Sequence, residues 1–253
     1  MEYKDIIKES YYHDKSGMLL RGDCFDWMAK FPDKSVDMIL CDLPYGISRD
    51  SGYVNNAPDK TGYIAKYGKH KIDFGEWDNK SIDLFLLADE YYRLLRDGGV
   101  AVIFYDIWGS ETVSKSFADF KQPRILEWVK TNPVPINSKL NFLSNAKEYM
   151  FSFVKKSKPT FNSQYNNGIF NYPLCHGKER KDHPTQKPLV LFEELIKIYS
   201  QESNIILDNC AGTSTTAVAC KKLNRRWICV EGEEEYCKIS VDRINEISYK
   251  EKI

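Results

Sequence analysis

Seven short runs along the chain are rich in Val, Ile, Leu, Phe, Trp and Tyr, the pattern of strands. They cover residues 18–22, 36–41, 100–105, 125–130, 149–154, 205–208 and 227–230. Between several of them the apolar period lengthens to that of a helix. Leu84, Leu87, Tyr91 and Leu94 fall on one face. So do Leu189, Phe192, Leu195 and Tyr199, behind Pro188, which suits a first helical turn. Tyr236, Ile239, Ile244 and Ile247 line a last helix, and 24–31 forms a shorter one. Strands alternating with helices predict a parallel-rich α/β sheet covered on both faces. Two stretches stay outside the pattern. Residues 49–78, rich in Gly, Tyr, Asn and Lys, read as a long loop. Residues 155–183 are polar, contain Asn166-Asn167-Gly168, and read as a loop or small recognition insert. Loops of that length are usually functional or mobile.

At 253 residues the chain allows one large domain or two small ones. Its 42 % of apolar residues is enough for a sizeable core and excludes wholesale disorder. No stretch approaches the ~18 unbroken apolar residues of a membrane span. The opening Met1-Glu2-Tyr3-Lys4-Asp5 lacks the basic-then-apolar layout of a signal peptide. Seven cysteines (Cys24, Cys41, Cys175, Cys210, Cys220, Cys229, Cys237) sit mostly in apolar runs, without a C-x-x-C or zinc-like spacing. They read as reduced thiols, so the expected location is cytoplasmic and no metal is expected.

Basic and acidic residues balance at 36 each, which by itself argues mildly against a nucleic-acid binder. The balance is not uniform. Residues 121–187 hold twelve basic and four acidic side chains, a local excess of +8, while 1–120 and 188–253 stand at −6 and −2. A basic middle between acidic ends is a patch suited to a polyanion. Trp128, Phe142, Tyr149, Phe151, Phe153, Phe161, Tyr165, Phe170 and Tyr172 interleave with the basic residues, as in nucleic-acid contacts. A solvated Lys-rich face over an aromatic core would look the same. Candidate DNA contacts are Lys130, Asn132, Lys139, Lys155, Lys156 and Lys158.

Five motifs carry candidate chemistry. Cys41-Asp42-Leu43-Pro44-Tyr45-Gly46 leaves a strand at the edge where ligands bind in open α/β sheets. Pro44 restricts Leu43, so the Leu43 carbonyl can be held in one direction beside the Asp42 carboxylate. Two such acceptors can grip an exocyclic amino group while Tyr45 stacks on its ring. An ordinary strand exit, with Asp42 as a cap, fits the same residues. Residues 205–219 read as strand, small-residue turn and helix, with only Gly212 as glycine, and Glu231 ends the next strand. Small residues let a ligand approach the backbone, and an acidic residue about twenty positions on can bind ribose hydroxyls. This is neither a P-loop nor a dinucleotide fingerprint, so an ATP or nicotinamide enzyme is disfavoured. Asp23 follows the first strand and can accept from an amino group or cap a helix. His183-Pro184-Thr185-Gln186-Lys187-Pro188 opens a helix, and Lys187 can meet a carboxylate. The segment 128–135 turns a strand exit into a rigid polar turn and is followed by Asn145-Ala146-Lys147-Glu148-Tyr149.

In this order the motifs resemble those of the S-adenosylmethionine-dependent DNA amino-methyltransferases, which methylate adenine N6 or cytosine N4. Asp42-Leu43-Pro44-Tyr45 is similar to their Asp-Pro-Pro-Tyr catalytic motif, with Leu43 in place of the first proline. The run from Asp208 to Thr216 is similar to their cofactor loop, with Cys210 and Ser214 where Phe and the second Gly are usual. Catalytic motif first and cofactor loop last is the order of the beta class. The resemblance spans about residues 18–247. It implies a seven-stranded, mostly parallel Rossmann-like methyltransferase sheet with helices on both faces. It implies a single domain over 1–253, with inserts at about 47–80 and 137–182, the second for target recognition.

The resemblance further implies catalysis by Asp42, Leu43, Pro44 and Tyr45 on a flipped-out base in double-stranded DNA. It assigns Asp23 to the cofactor adenine and Glu231 to its ribose, with Cys24 also among the cofactor-binding residues. Thr185, Lys187 and the loop Asp208, Cys210, Ala211, Gly212, Thr213, Ser214, Thr215 and Thr216 would hold the methionine part, with Asp42 bordering it. Asp in the catalytic motif, where N4-cytosine enzymes commonly carry Ser, favours adenine. Cytosine N4, an RNA adenine, and an inactive DNA-binding protein on the same fold are the alternatives. A homodimer is compatible with the aromatic surface, and a restriction partner is not written in the chain.

Overall fold

The computed structural model describes residues 3–44, 82–133, 145–180 and 186–247. The chain divides into two compact units, Met1–Leu43 with Asp83–Ile253, and Pro44–Ile82. Only Pro44 and Ile82 of the second are described, so the architecture below is that of the first. The expected loop at 47–80, with Tyr45 before it, lies outside the described residues, as do 137–144 and 181–182 of the expected insert.

Among the described residues, nine strands form one sheet: β1 (Tyr12–His13), β2 (Gly17–Arg21), β3 (Val36–Asp42), β4 (Leu95–Phe104), β5 (Lys121–Lys130), β6 (Lys147–Val154), β7 (Ile169–Tyr172), β8 (Ile205–Asp208) and β9 (Arg226–Glu231). Their order is β1-β2-β9-β8-β3-β4-β6-β5-β7. Among these described strands, β1 and β6 run against the rest. All seven expected strands are present, and two are added. β1 is a two-residue edge strand. β7 lies inside the stretch expected to be loop, and it pairs with β5, some forty residues earlier. Of its residues only Phe170 is buried, so it lacked the apolar density by which the others were read.

The helices are α1 (Tyr3–Lys8), α2 (Cys24–Met28), α3 (Leu84–Leu94), α4 (Ser110–Ser116), α5 (Leu189–Tyr199), α6 (Thr215–Lys222) and α7 (Glu234–Asn245). Asp83 caps α3 by accepting from the Phe85 and Leu86 amides at 2.9 and 3.1 Å. Its face Leu84, Leu87, Tyr91 and Leu94 is buried as the spacing predicts. The connection β3→β4 steps one way along the sheet and β8→β9 the other. Right-handed crossovers therefore put α3 and α6 on opposite faces. The last helix differs in detail. Its buried line is Cys237, Ser240 and Ile244, and Ile247 falls beyond its end.

Aromatic pairs show how each face is filled. Phe104 of β4 stacks on Phe192 of α5 at 5.6 Å, and Phe153 of β6 stacks on Phe117 after α4 at 4.5 Å. At the other end of the sheet β2 and β9 approach closely. A Cβ on Gly17 would collide with the Trp227 carbonyl oxygen and indole ring. Gly17→Ala is expected to lower stability by about 2–3 kcal/mol, a fall in melting temperature of roughly 4–12 °C. An unchanged melting curve would show that the pair can separate freely.

Candidate active site

Parallel strands present their C-terminal ends to one edge, and ligands bind there where the strand order reverses. Here that point lies between β3 and β8. Asp42 ends β3, Asp208 ends β8 and Glu231 ends β9. Glu148, near the start of antiparallel β6, and Lys130, at the end of β5, come to the same edge.

The side chains above this edge form a chain of alternating charge. In register, Asp42 pairs with Phe104, and Phe104 with Met150. Because side chains alternate, Asp42, Phe104, Met150 and Glu148 share one face. Lys187 enters across that face just before α5. Its Nζ donates to Asp42 Oδ2 at 2.5 Å, lies 3.3 Å from Glu148 Oε2, and sits 5.3 Å above the Phe104 ring. Lys130 Nζ meets Glu148 Oε1 at 2.9 Å. The Lys187 side chain is only 6 % exposed, so it is a committed ion-pair member and not a surface cation. Burial opposes its charge, but Asp42 and Glu148 outweigh burial and hold it above the usual lysine range. Burial likewise pushes Glu148 up, and the fields of Lys187 and Lys130 bring it below the usual carboxylate range.

The turn from Asp208 to Thr216 forms the other wall. Asp208 accepts from the Thr216 hydroxyl at 2.5 Å and from the Cys210 amide at 3.2 Å, and burial pushes its carboxyl up to about 6. Gly212, at φ +53°, donates its amide to Glu231 Oε2 at 2.7 Å. Ser214 also has a left-handed φ, +58°, at the start of α6. Glycine adopts that conformation without strain, whereas serine carries a cost of about 1–2 kcal/mol. Ser214 is fully buried, so its side chain is packed inside the turn. The accessible members of this wall are Cys210, Gly212 and Glu231, joined by Asp23 and Cys24, while Asp208, Ala211 and Thr213–Thr216 are buried scaffold. Burial pushes Glu231 up to about 7 against hydrogen bonds from the Glu233 and Gly212 amides. Asp23 caps α2, with Oδ1 accepting from the Phe25 amide at 2.8 Å.

Several residues were not singled out from sequence. Arg243, buried in α7, donates to the Thr213 carbonyl at 2.5 Å and to the Thr213 and Thr215 hydroxyls at 2.8 and 3.3 Å. Ser240 donates to the Gly212 carbonyl at 3.1 Å. Tyr91 of α3 donates its hydroxyl to the Asn209 side chain beneath the turn. Glu148 reads in sequence as the polar entry to a strand. An arginine in a polar helix reads as solvated.

The candidate DNA contacts among the described residues lie at both edges of the sheet. Because β6 runs backward, its exit lies at the opposite edge from Asp42, roughly 13 Å away along the strands. Of the candidate DNA contacts, Lys155, Lys156 and Lys158 follow that exit. Lys155 is moreover buried and donates Nζ to the Leu95 carbonyl at 2.7 Å. Asn132 is at the right edge and exposed, with Oδ1 accepting from the Leu174 amide at 2.7 Å. Trp128, Phe151, Phe153 and Phe170 are core, whereas Phe161 and Tyr165 are exposed. Lys139 and Thr185 lie outside the described residues. Among the described residues no cluster of His, Cys, Asp or Glu could hold a metal ion, and no helix is long and apolar enough to cross a membrane.

Comparison with known proteins gives the family. A DNA methylase family model (N6/N4 methyltransferase) matches residues 36–242. The chain is 32 % identical to the type II methyltransferase M.HinfI of Haemophilus influenzae over 96 % of its own length and 72 % of that protein's. It is 30 % identical to M2.MboI of Moraxella bovis, covering 95 % and 94 %. Among solved structures, an M1.HpyAVI–SAM complex superposes with a TM-score of 0.68 at 27 % identity, covering 90 % of this chain and 99 % of that one. The chain belongs to the DNA methylase family, as an amino-methyltransferase.

Proposed function

We propose that the protein is a site-specific DNA adenine-N6 methyltransferase that uses S-adenosylmethionine, in the cytoplasm, on a base turned out of double-stranded DNA. What supports it most is that Asp42 and the Gly212 turn flank the crevice where the strand order reverses, in a chain of this family. The residues there fit the cofactor. Glu231 and Asp23 offer carboxylates to hydroxyl and amino donors, and buried Ser214 leaves the turn surface to small groups. When bound, the cofactor supplies a methyl group activated by a positively charged sulfur.

The chain's own residues do the rest. The Asp42 carboxylate and the Leu43 carbonyl accept the two amino hydrogens of adenine. That draws the nitrogen toward tetrahedral geometry and frees a lone pair otherwise delocalised into the ring. With the methyl carbon passing from the cofactor's sulfur to that nitrogen, Asp42 would receive the proton that the nitrogen sheds. Holding the partners in line can lower the barrier by ~7 kcal/mol or more. Unstacking the base costs a few kcal/mol, which stacking on Tyr45 and phosphate contacts offset. In this reading residues 49–80 and 137–182 supply contacts to the DNA.

The test is transfer of labelled methyl groups to duplex DNA, followed by digestion and identification of the nucleoside. N6-methyladenine is the expected product. N4-methylcytosine would overturn the base assignment, and no transfer would overturn the activity.

Glu231 makes cofactor affinity depend on pH. Its ionised form is the acceptor for ribose hydroxyls, and that form is lost as pH falls through about 7. The dissociation constant should therefore be roughly tenfold weaker at pH 6 than at pH 8. Stability of the cofactor-free protein runs the other way. A carboxyl raised in the folded state favours folding below its usual pKa, and that contribution fades as pH rises through about 7. Glu231→Gln should flatten both curves. Calorimetric titration at several pH values checks the first, and an affinity independent of pH in the unaltered protein would remove Glu231 from the ribose site.

A further inference from the structure

We propose that Glu148 is a positioning residue that aims the Asp42 carboxylate by clamping Lys187 from the opposite side. The inference rests on the role given to Asp42 above. Asp42 and Glu148 stand on β3 and β6, with β4 between them, and Lys187 bridges them over the Phe104 ring. A lysine ammonium has three donors and no planar fork, so one carboxylate alone would leave it free to pivot between oxygens. Two carboxylates from rigid strands give it one resting point. That point is against Oδ2 of Asp42.

Lys130 completes the device. It meets Glu148 Oε1, so the row Asp42, Lys187, Glu148, Lys130 holds two negative and two positive groups. A buried charge left without compensation is costly, and this row leaves none. Asp42 would thus be kept ionised and oriented before substrate arrives, with no rearrangement needed during the reaction. Glu148 touches no reacting atom in this scheme. It acts through Lys187.

The test compares Glu148→Gln with the charge-balanced double variant Glu148→Gln/Lys130→Gln. Three quantities are read: the single-turnover methylation rate, the dissociation constants for S-adenosylmethionine and for duplex DNA, and the position of Lys187 in a crystal structure of each variant. The rate should fall by roughly ten- to a hundredfold in both variants. Cofactor affinity should stay within about twofold, the split expected of a residue that orients a reacting group without binding a ligand. Lys187 should leave its place against Asp42 Oδ2. A near-normal rate in the folded double variant would overturn the proposal, as would a crystal structure with Lys187 unmoved. A double variant that cannot fold would make Glu148 a structural residue and overturn it too. If the unaltered protein transfers no methyl group, the functional reading falls, and the crystallographic result alone decides the clamp.

Discussion

Asp42→Ala is expected to lower methyl transfer by at least about 10²–10³-fold, the usual effect of deleting one preorganised polar group at a reacting centre. The carboxylate ends β3 beside the strand-order reversal, and in the proposed mechanism its removal takes away the acceptor that polarises the amino nitrogen. Binding should survive. The walls provided by Gly212 and Glu231 do not depend on Asp42. The variant also loses one partner of buried Lys187, which breaking a buried pair makes costly, about 3 kcal/mol or more. Glu148 still faces the ammonium, so the chain should fold with a lowered melting temperature. Asp42→Asn, which keeps the volume, separates the two effects. Thermal melts with and without S-adenosylmethionine, alongside the methylation assay, check both. Normal transfer by a well-folded Asp42→Ala protein would sink the assignment.

The second large effect should come from Arg243→Leu, a residue far along the chain from the catalytic motif. Its guanidinium ties α7 to the turn between β8 and α6 through the Thr213 carbonyl and two hydroxyls. Leucine removes those bonds and leaves the buried Thr213 carbonyl without its charged donor. Hydrogen bonds to a charged group are worth about 1.5–3 kcal/mol each in net stability, and they are not additive. A loss of about 3 kcal/mol, or roughly 6–12 °C in melting temperature, is the expectation. Cofactor affinity should fall with it, because the same turn carries the Gly212 amide. Chemical denaturation and cofactor titration measure the two. If stability falls while affinity is untouched, the turn is held well enough by Ser240 and Glu231, and Arg243 only supports the fold.

The α/β class and the positions of seven strands were readable because buried strands of a parallel sheet are continuous apolar runs, as at 36–41 and 205–208. α3 and α5 were readable from period alone. The candidate site was readable in part. Asp42, Asp208 and Glu231 each stand where a strand run stops, and strand ends define the ligand edge. β7 was missed because four residues with one buried side chain carry too little pattern. The position of Lys155, Lys156 and Lys158 relative to Asp42 was not readable, for a different reason. Composition gives a charge its place in the chain but not the direction of the strand that carries it. Antiparallel β6 delivers Glu148 to the site and takes Lys155 away from it.

The sequence by itself determined the class of sheet, the family and the residues that end the ligand-edge strands, because these follow from local pattern and short motifs. The tertiary structure alone decided which charges meet. Lys187 stands 145 positions from Asp42, and Arg243 thirty from Thr213. Pairings across such separations depend on strand order, strand direction and side-chain parity, and none of these is a local property of the chain. The same long-range geometry makes Lys187 the buried link between two carboxylates.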